Sequence, residues 1–150
     1  MLATPITIHF VKILAATCDD RSSAVILAAV HLRWPDSGQV IVWPSVDGDT
    51  RIDPAGFDLG IVDGGLKYAA TQVVARIRES SNLPLLFVAD PQGDQMDTAW
   101  ALQFENVDYL FKPLELAPLI SRIETLTESR DAFPDLLTST QIIQKLKESN

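Results

Sequence analysis

The clearest chemical feature of this chain is an aspartate that ends an apolar run and is followed by two glycines. Leu59-Gly60-Ile61-Val62 leads into Asp63 and then Gly64-Gly65. This is the pattern of a buried central strand that delivers a carboxylate to the rim of a parallel sheet, where open α/β sheets bind their ligands. A second run, Val107 to Phe111, ends in Lys112-Pro113. If both strands lie in one sheet, Asp63 and Lys112 face each other across a single pocket. Asp19 and Asp20 follow the first apolar segment and add clustered oxygens of the kind a hard cation takes. Structural roles fit the same residues. Asp63 suits the cap of the next helix, Lys112 an ordinary ion pair, and Asp19 and Asp20 a helix N-terminus that needs no metal.

The elements that must position these groups follow from the apolar periods. Ile6 to Thr17 reads as a first strand interrupted by Lys12. Asp19 to Ser23 offers N-cap residues for a helix over Ala24 to Arg33, apolar nearly all round and so expected to be well buried. Gln39 to Trp43 reads as a short second strand. Ser45 to Gly56 carries turn chemistry and no helical period, so a crossover helix there is expected to be short or absent. Helices are expected over Tyr68 to Ser80, with Ala70, Val73, Val74 and Ile77 inward, and over Asp97 to Phe104, with Asn106 as a left-handed cap. Leu85 to Ala89 and Val107 to Phe111 supply the fourth and fifth strands. Glu115 to Thr127 is the clearest amphipathic helix, with Leu116, Leu119, Ile120, Ile123 and Leu126 on one stripe and Pro118 in its first turn. A final helix is expected over Gln141 to Glu148. Strands alternating with helices predict an α/β class with a parallel sheet.

Totals bound the function. At 150 residues, 47% hydrophobic and 21% charged, the chain suits one domain with a real core. Twelve basic against 20 acidic side chains give a net charge of −8. That argues against nucleic-acid binding through a general basic surface. The single Cys18 excludes an internal disulfide and fits a reducing compartment. Met1 to Cys18 lacks the positive n-region of a signal peptide, and no run approaches the ~20 apolar residues of a membrane span, so a cytoplasmic protein is expected. His31, in an apolar helix, reads as a packed or helix-end residue. Trp34 and Trp43, each beside a proline, read as edge anchors, and Trp100 with Phe104 fits either core packing or a partner surface. Asp47-Gly48-Asp49 lacks the later Glu of a calcium loop, and no phosphate-cradling glycine motif or Ser/His/Asp set is present.

Phe57-Asp58-Leu59-Gly60-Ile61-Val62-Asp63 resembles the third strand of response-regulator receiver domains. Val107-Asp108-Tyr109-Leu110-Phe111-Lys112-Pro113 resembles their fifth strand with its Lys-Pro signature. Ile6 to Leu126 follows the order of elements in that family. The resemblance implies a flavodoxin-like, doubly wound, five-stranded sheet of order 2-1-3-4-5 in three layers, with a receiver-like domain over 6–128 and an extension with a short helix over 129–150. It implies Asp63 as phosphoryl acceptor, Lys112 as phosphate partner and Tyr109 as an inward-swinging switch residue. Tyr109 also suits a half-buried strand position. Mg²⁺ would be held by Asp63, by Asp19 or Asp20, and by the Gly65 carbonyl, and the Lys112-Pro113 bond would be cis.

This sequence departs from the pattern at two places. Ala89 stands where the family has a Ser or Thr that contacts the phosphoryl group. An ungapped alignment from Lys12 places Thr17 and Cys18, not Asp19 and Asp20, at the acidic pair, so that only a longer first strand would bring the two acids into the pocket. The leading expectation is a non-enzymatic signalling module in a phosphorelay, phosphorylated by a sensor histidine kinase. No output domain follows, so its output is expected through a protein effector or a homodimer built on the family's fourth helix, fifth strand and fifth helix (97–104, 107–111 and 115–127). The alternative is a pseudo-receiver that binds partners without phosphorylation.

Overall fold

The computed structural model describes residues 10–43, 53–93 and 95–131. Five strands form its centre: β1 (Val11–Ala16), β2 (Gly38–Val42), β3 (Leu59–Asp63), β4 (Leu85–Ala89) and β5 (Val107–Phe111). Around them lie α1 (Asp20–Arg33), α2 (Tyr68–Ser80), α3 (Gln95–Ala101) and α4 (Leu116–Asp131), with 3₁₀ turns at Pro54–Gly56 and Gly64–Leu66. All strand pairs are parallel and the order is β2-β1-β3-β4-β5, as the resemblance implied. Ala16 pairs with Val62, Asp63 with Val88 and Ala89 with Phe111, which aligns the carboxyl ends of β1, β3, β4 and β5 along one rim.

Alternation along the strands divides the core between two faces. Leu14, Val62, Leu85 and Phe87 pack with α2 residues Val73, Val74 and Ile77. Ile13, Ile61, Leu86 and Val88 pack on the opposite face with Ile26 and Val30 of α1 and Leu119 and Ile123 of α4. β3 is buried at every position, as expected of a central strand covered on both sides. Trp100 and Phe104 meet edge to face at 4.9 Å and pack against the first of these clusters. Their surroundings are therefore those of core packing. Trp43 is buried, and Trp34 is partly buried with the Arg33 guanidinium 5.0 Å from its ring centroid.

Several expectations are corrected. β1 ends at Ala16, one residue earlier than expected, and residues 6–9 of the expected strand lie outside the described residues. α1 begins at Asp20, four residues earlier than expected, because Asp19 caps it by accepting from the Ser22 amide at 2.6 Å. That helix is not well buried all round. Only Ser22, Ile26, Ala29 and Val30 are enclosed, while Leu27, His31 and Leu32 face solvent. A helix in an outer layer has one face against the sheet, whatever its composition. α3 ends at Ala101, short of Phe104. Asn106, at φ 63°, therefore turns the chain into β5 instead of capping the helix, and its side-chain amide donates to the Asn82 carbonyl. The Arg78 guanidinium donates to the carbonyls of Glu105 and Asn106 and fixes this turn from α2. In α4, Leu119 and Ile123 are fully buried but Leu116 is exposed. No α-helix lies between β2 and β3 among the described residues. Asp47 to Asp49 and the helix expected over Gln141 to Glu148 lie outside them. No helix among the described residues is long and apolar enough to cross a membrane.

The attachment of α4 rests on burial more than on surface charge. Leu119→Ala is expected to cost about 2–5 kcal/mol in urea unfolding, for lost burial plus a residual cavity. Glu124→Ala, which removes the half-exposed ion pair with Arg33, is expected to cost under about 1 kcal/mol. Equal shifts of the unfolding midpoint in the two variants would contradict this assignment.

Candidate functional site

Three loops at the carboxyl rim bring the site together. β3 ends in Asp63, whose side chain is fully buried. A buried carboxylate is tolerated only with partners on its oxygens, and this one has them. Oδ1 accepts from the Gly65 amide at 2.8 Å and lies 2.8 Å from Lys112 Nζ. Oδ2 accepts from the Cys18 amide at 3.3 Å and from the Cys18 thiol at 3.2 Å. Asp63 thus caps the 3₁₀ turn after β3 through the bond from Gly65 and faces the Lys112 ammonium at the same time.

Lys112 reaches this carboxylate from the end of β5, past β4, where its own amide donates to the Ala89 carbonyl at 2.8 Å. Its ammonium also donates to Asp19 Oδ2 at 2.9 Å and lies 3.7 Å from Cys18 Sγ. The Lys112-Pro113 peptide is cis. Burial alone would lower the Lys112 pKa, but the hydrogen bonds it donates to Asp63 and Asp19 outweigh it and hold the ammonium well above its ordinary value. The Ser22 amide, with the Lys112 ammonium, holds the Asp19 carboxyl well below the usual carboxylate range. Loss of hydration, then the hydrogen bond and charge of Asp63, push the Cys18 thiol up to about 11.

Of the residues singled out in the sequence, Asp63, Lys112, Asp19 and Gly65 come together. Asp20 does not; it is exposed in the first turn of α1. Asp19 arrives without a longer strand, because Thr17 and Cys18 bridge from Ala16 to the cap position. Cys18, with one donor atom within 4.8 Å of those of Asp19 and Asp63, is the third member of the cluster. Thr17 points elsewhere, its hydroxyl sharing a 2.5 Å hydrogen bond with that of Ser23. The cue for Cys18 was its place in the ungapped register, straight after the first strand.

A cation of the Mg²⁺ class fits this pocket. It keeps several waters and takes one or two carboxylates, and Asp19 and Asp63 provide two. Gly65 leaves the cradle open. A Cβ there would come within 2.5 Å of Cys18 Sγ, 3.1 Å of Asp63 Oδ1 and 3.3 Å of Lys112 Nζ. Beside the cluster, a cavity of about 390 Å³ is bordered by Asp19, Ser22, Asp90, Lys112 and Leu114. A second, of about 480 Å³, is bordered by Gly64, Gly65, Phe87, Ala89, Asp97 and Thr98. Ala89 is buried at the end of β4 and presents only a methyl group. Thr98, a buried hydroxyl residue on α3 that the sequence reading passed over, lines the same cavity. Tyr109 is 40% exposed on the edge strand and stacks edge to face on exposed Phe111 at 5.4 Å.

No protein-family model and no curated protein matches this sequence. Solved structures do. The chain is similar to the signal receiver domain of a modulated diguanylate cyclase from Desulfovibrio desulfuricans G20, with a TM-score of 0.66 at 20% identity over 83% of this chain and 98% of that one. It is similar to a response regulator receiver domain protein from Clostridium thermocellum, at 0.61 and 19% over 82% and 98%. A third is the N-terminal domain of the nisin resistance regulator NsrR, a lantibiotic response regulator, at 0.59 and 24% over 78% and 97%. The chain has the receiver-domain fold.

The surroundings of Cys18 make its reactivity a direct probe of the pocket. Its alkylation by iodoacetamide is expected to be still rising at about pH 10, where an unperturbed thiol of pKa about 8.5 has levelled off. Asp63→Asn is expected to lower the midpoint, since Asp63 raises it. Lys112→Ala is expected to raise it further, since Lys112 lowers it. A midpoint at the free-thiol value would show that Cys18 does not face Asp63.

Proposed function

We propose that this chain works in phosphorelay signal transduction as a receiver, taking a phosphoryl group on Asp63 from a sensor histidine kinase. The observation that carries this reading is the Lys112 ammonium 2.8 Å from a fully buried carboxylate at the end of the central strand. In the transfer, the phosphorus–nitrogen bond of the phosphohistidine breaks and its electron pair stays on the imidazole. A carboxylate oxygen of Asp63 forms the new bond to phosphorus, giving a mixed anhydride. Lys112 pairs with a phosphoryl oxygen as a point charge, and Gly65 presents no side chain to obstruct the entering group. Asp19, Asp63 and the Gly65 carbonyl would hold Mg²⁺, which supplies neutralisation of the phosphoryl oxygens. Asp20 has no part in this set.

Phosphorylation adds charge where two carboxylates already share one ammonium, and so biases the pairing of Lys112. The readout we assign to the surface of α3, β5 and α4, where Tyr109 and Phe111 are exposed, acting on a protein effector or a second copy of the chain. This reading places the protein in the cytoplasm as a signalling module. A second reading, a phosphorylation-independent interaction module, is favoured by Ala89, which cannot donate to a phosphoryl oxygen, and by a thiol in the acidic cluster.

Intact-mass spectrometry after incubation with a small-molecule phosphodonor separates the two. The receiver reading expects a gain of one phosphoryl group that requires both a divalent cation and Asp63, is abolished in Asp63→Asn and is reduced at least tenfold in Lys112→Ala, a loss of about 1.4 kcal/mol or more in transition-state stabilisation. No gain under conditions that label an active receiver would decide for the interaction module.

A further inference from the structure

Among the described residues around the pocket, Thr98 is the hydroxyl that the fold leaves unused. The hydroxyls of Thr17 and Ser23 bond to each other, and that of Ser22 donates to Asp19 Oδ2. Thr98 is nine-tenths buried on α3, yet among the described residues no hydrogen bond engages its hydroxyl, and the oxygen is not sealed in the core. It borders the cavity of about 480 Å³ that also reaches Gly64, Gly65 and Ala89. A donor kept from bulk water without a partner adds little to stability. Its place is explained by a ligand atom that arrives in the cavity. The phosphoryl-accepting reading, on which this inference rests, supplies such atoms. A phosphoryl group on Asp63 carries three acceptor oxygens. Lys112 and the divalent cation account for two, and the hydroxyl that the family offers the group is absent at Ala89.

Gly65 belongs to both parts of the site, since its amide donates to Asp63 Oδ1 at 2.8 Å and it lines the cavity. The wall beside it is bare backbone, because a Cβ on Gly64 would come within 2.9 Å of the Phe87 ring and of the Val88 carbonyl. Asp90 and Asp97 line the same space, but an ionised carboxylate has no proton to donate. Lys67 and Gln92 carry donors, yet both are exposed and would give up side-chain freedom to act. Thr98 gives up little, because packing already holds it. We propose that Thr98 takes the place of the hydroxyl missing at Ala89 and donates to the third phosphoryl oxygen, drawing α3 toward the rim. No covalent bond forms or breaks in this step. α3 is seven residues long and packs on β4 and α2. The phosphorylated state is therefore read out by a shift of this helix, with Tyr109 left on the edge strand.

The test is an NMR titration of the isotope-labelled chain, in the presence of Mg²⁺, with beryllofluoride, which mimics a phosphoryl group on a carboxylate. The Gly65 amide reports occupation of Asp63, and the amides of Gln95–Ala101 report movement of α3. Both are expected to shift in the parent chain and in Thr98→Ser, which keeps a hydroxyl. In Thr98→Val, which keeps the shape and loses the hydroxyl, Gly65 is expected to shift while α3 does not. Beryllofluoride is expected to bind that variant roughly tenfold more weakly, the low end for a hydrogen bond to a charged group. The free Thr98→Val chain is expected to unfold in urea at the same midpoint or a higher one, since the hydroxyl it loses has no partner. An unmoved Gly65 amide in the parent would refute the Asp63 reading and this inference with it. With Gly65 shifting, three results would each overturn the role of Thr98 alone. They are an equal affinity and α3 response in Thr98→Val, an α3 response lost in Thr98→Ser as well, or a lowered urea midpoint in Thr98→Val.

Discussion

The structure depends on one costly choice, the burial of the Asp63 carboxylate at the end of its central strand. An ionised group removed from water is stable only when opposite charge and hydrogen-bond donors replace its hydration. Here one ammonium, two backbone amides and a thiol do so. They come from Cys18, Gly65 and Lys112, so the ends of β1, β3 and β5 are tied to a single point. β5 is not adjacent to β3, and two strand spacings separate them by roughly 10 Å. Lys112 must therefore cross the end of β4, and the four-carbon stem of lysine is suited to that reach. At that crossing the Ala89 carbonyl accepts from the Lys112 amide.

The same arrangement determines which surfaces remain open. α3 spans only Gln95–Ala101 and packs on β4, and Tyr109 and Phe111 lie exposed on the edge strand β5. Edge strands with apolar side chains are natural sites of association. On the other side of the sheet, α1 and α4 are held by Ile26, Val30, Leu119 and Ile123. The aromatic edge adjoins the polar rim, since Phe111 directly precedes Lys112.

Cys18 and Ala89 shape the chemistry of the pocket beside its charged groups. With Cys18 in the acidic cluster, only Asp19 and Asp63 carry negative charge there, against the single charge of Lys112. The thiol adds a soft donor to an otherwise hard set. At Ala89 the end of β4 presents a methyl group to the cavity it lines, with Thr98 as the nearby hydroxyl residue on α3.

The alternation of apolar runs with helical periods was enough to identify five parallel strands, their order by resemblance, and the Asp63–Lys112 pair, because burial of a central strand imposes an uninterrupted apolar run and a polar end. Ala70, Val73, Val74 and Ile77 lie inward as their spacing required. Helix limits, and which faces of α1 are wet, were not legible, since they depend on the Asp19 cap and on what packs opposite. The choice between Asp19 and Asp20 belonged to the tertiary structure alone. Neighbouring residues of one type are equivalent in sequence, and only the direction in which the chain leaves β1 turns Cys18 toward Asp63 and Asp19 toward Lys112, and leaves Asp20 outside the cluster.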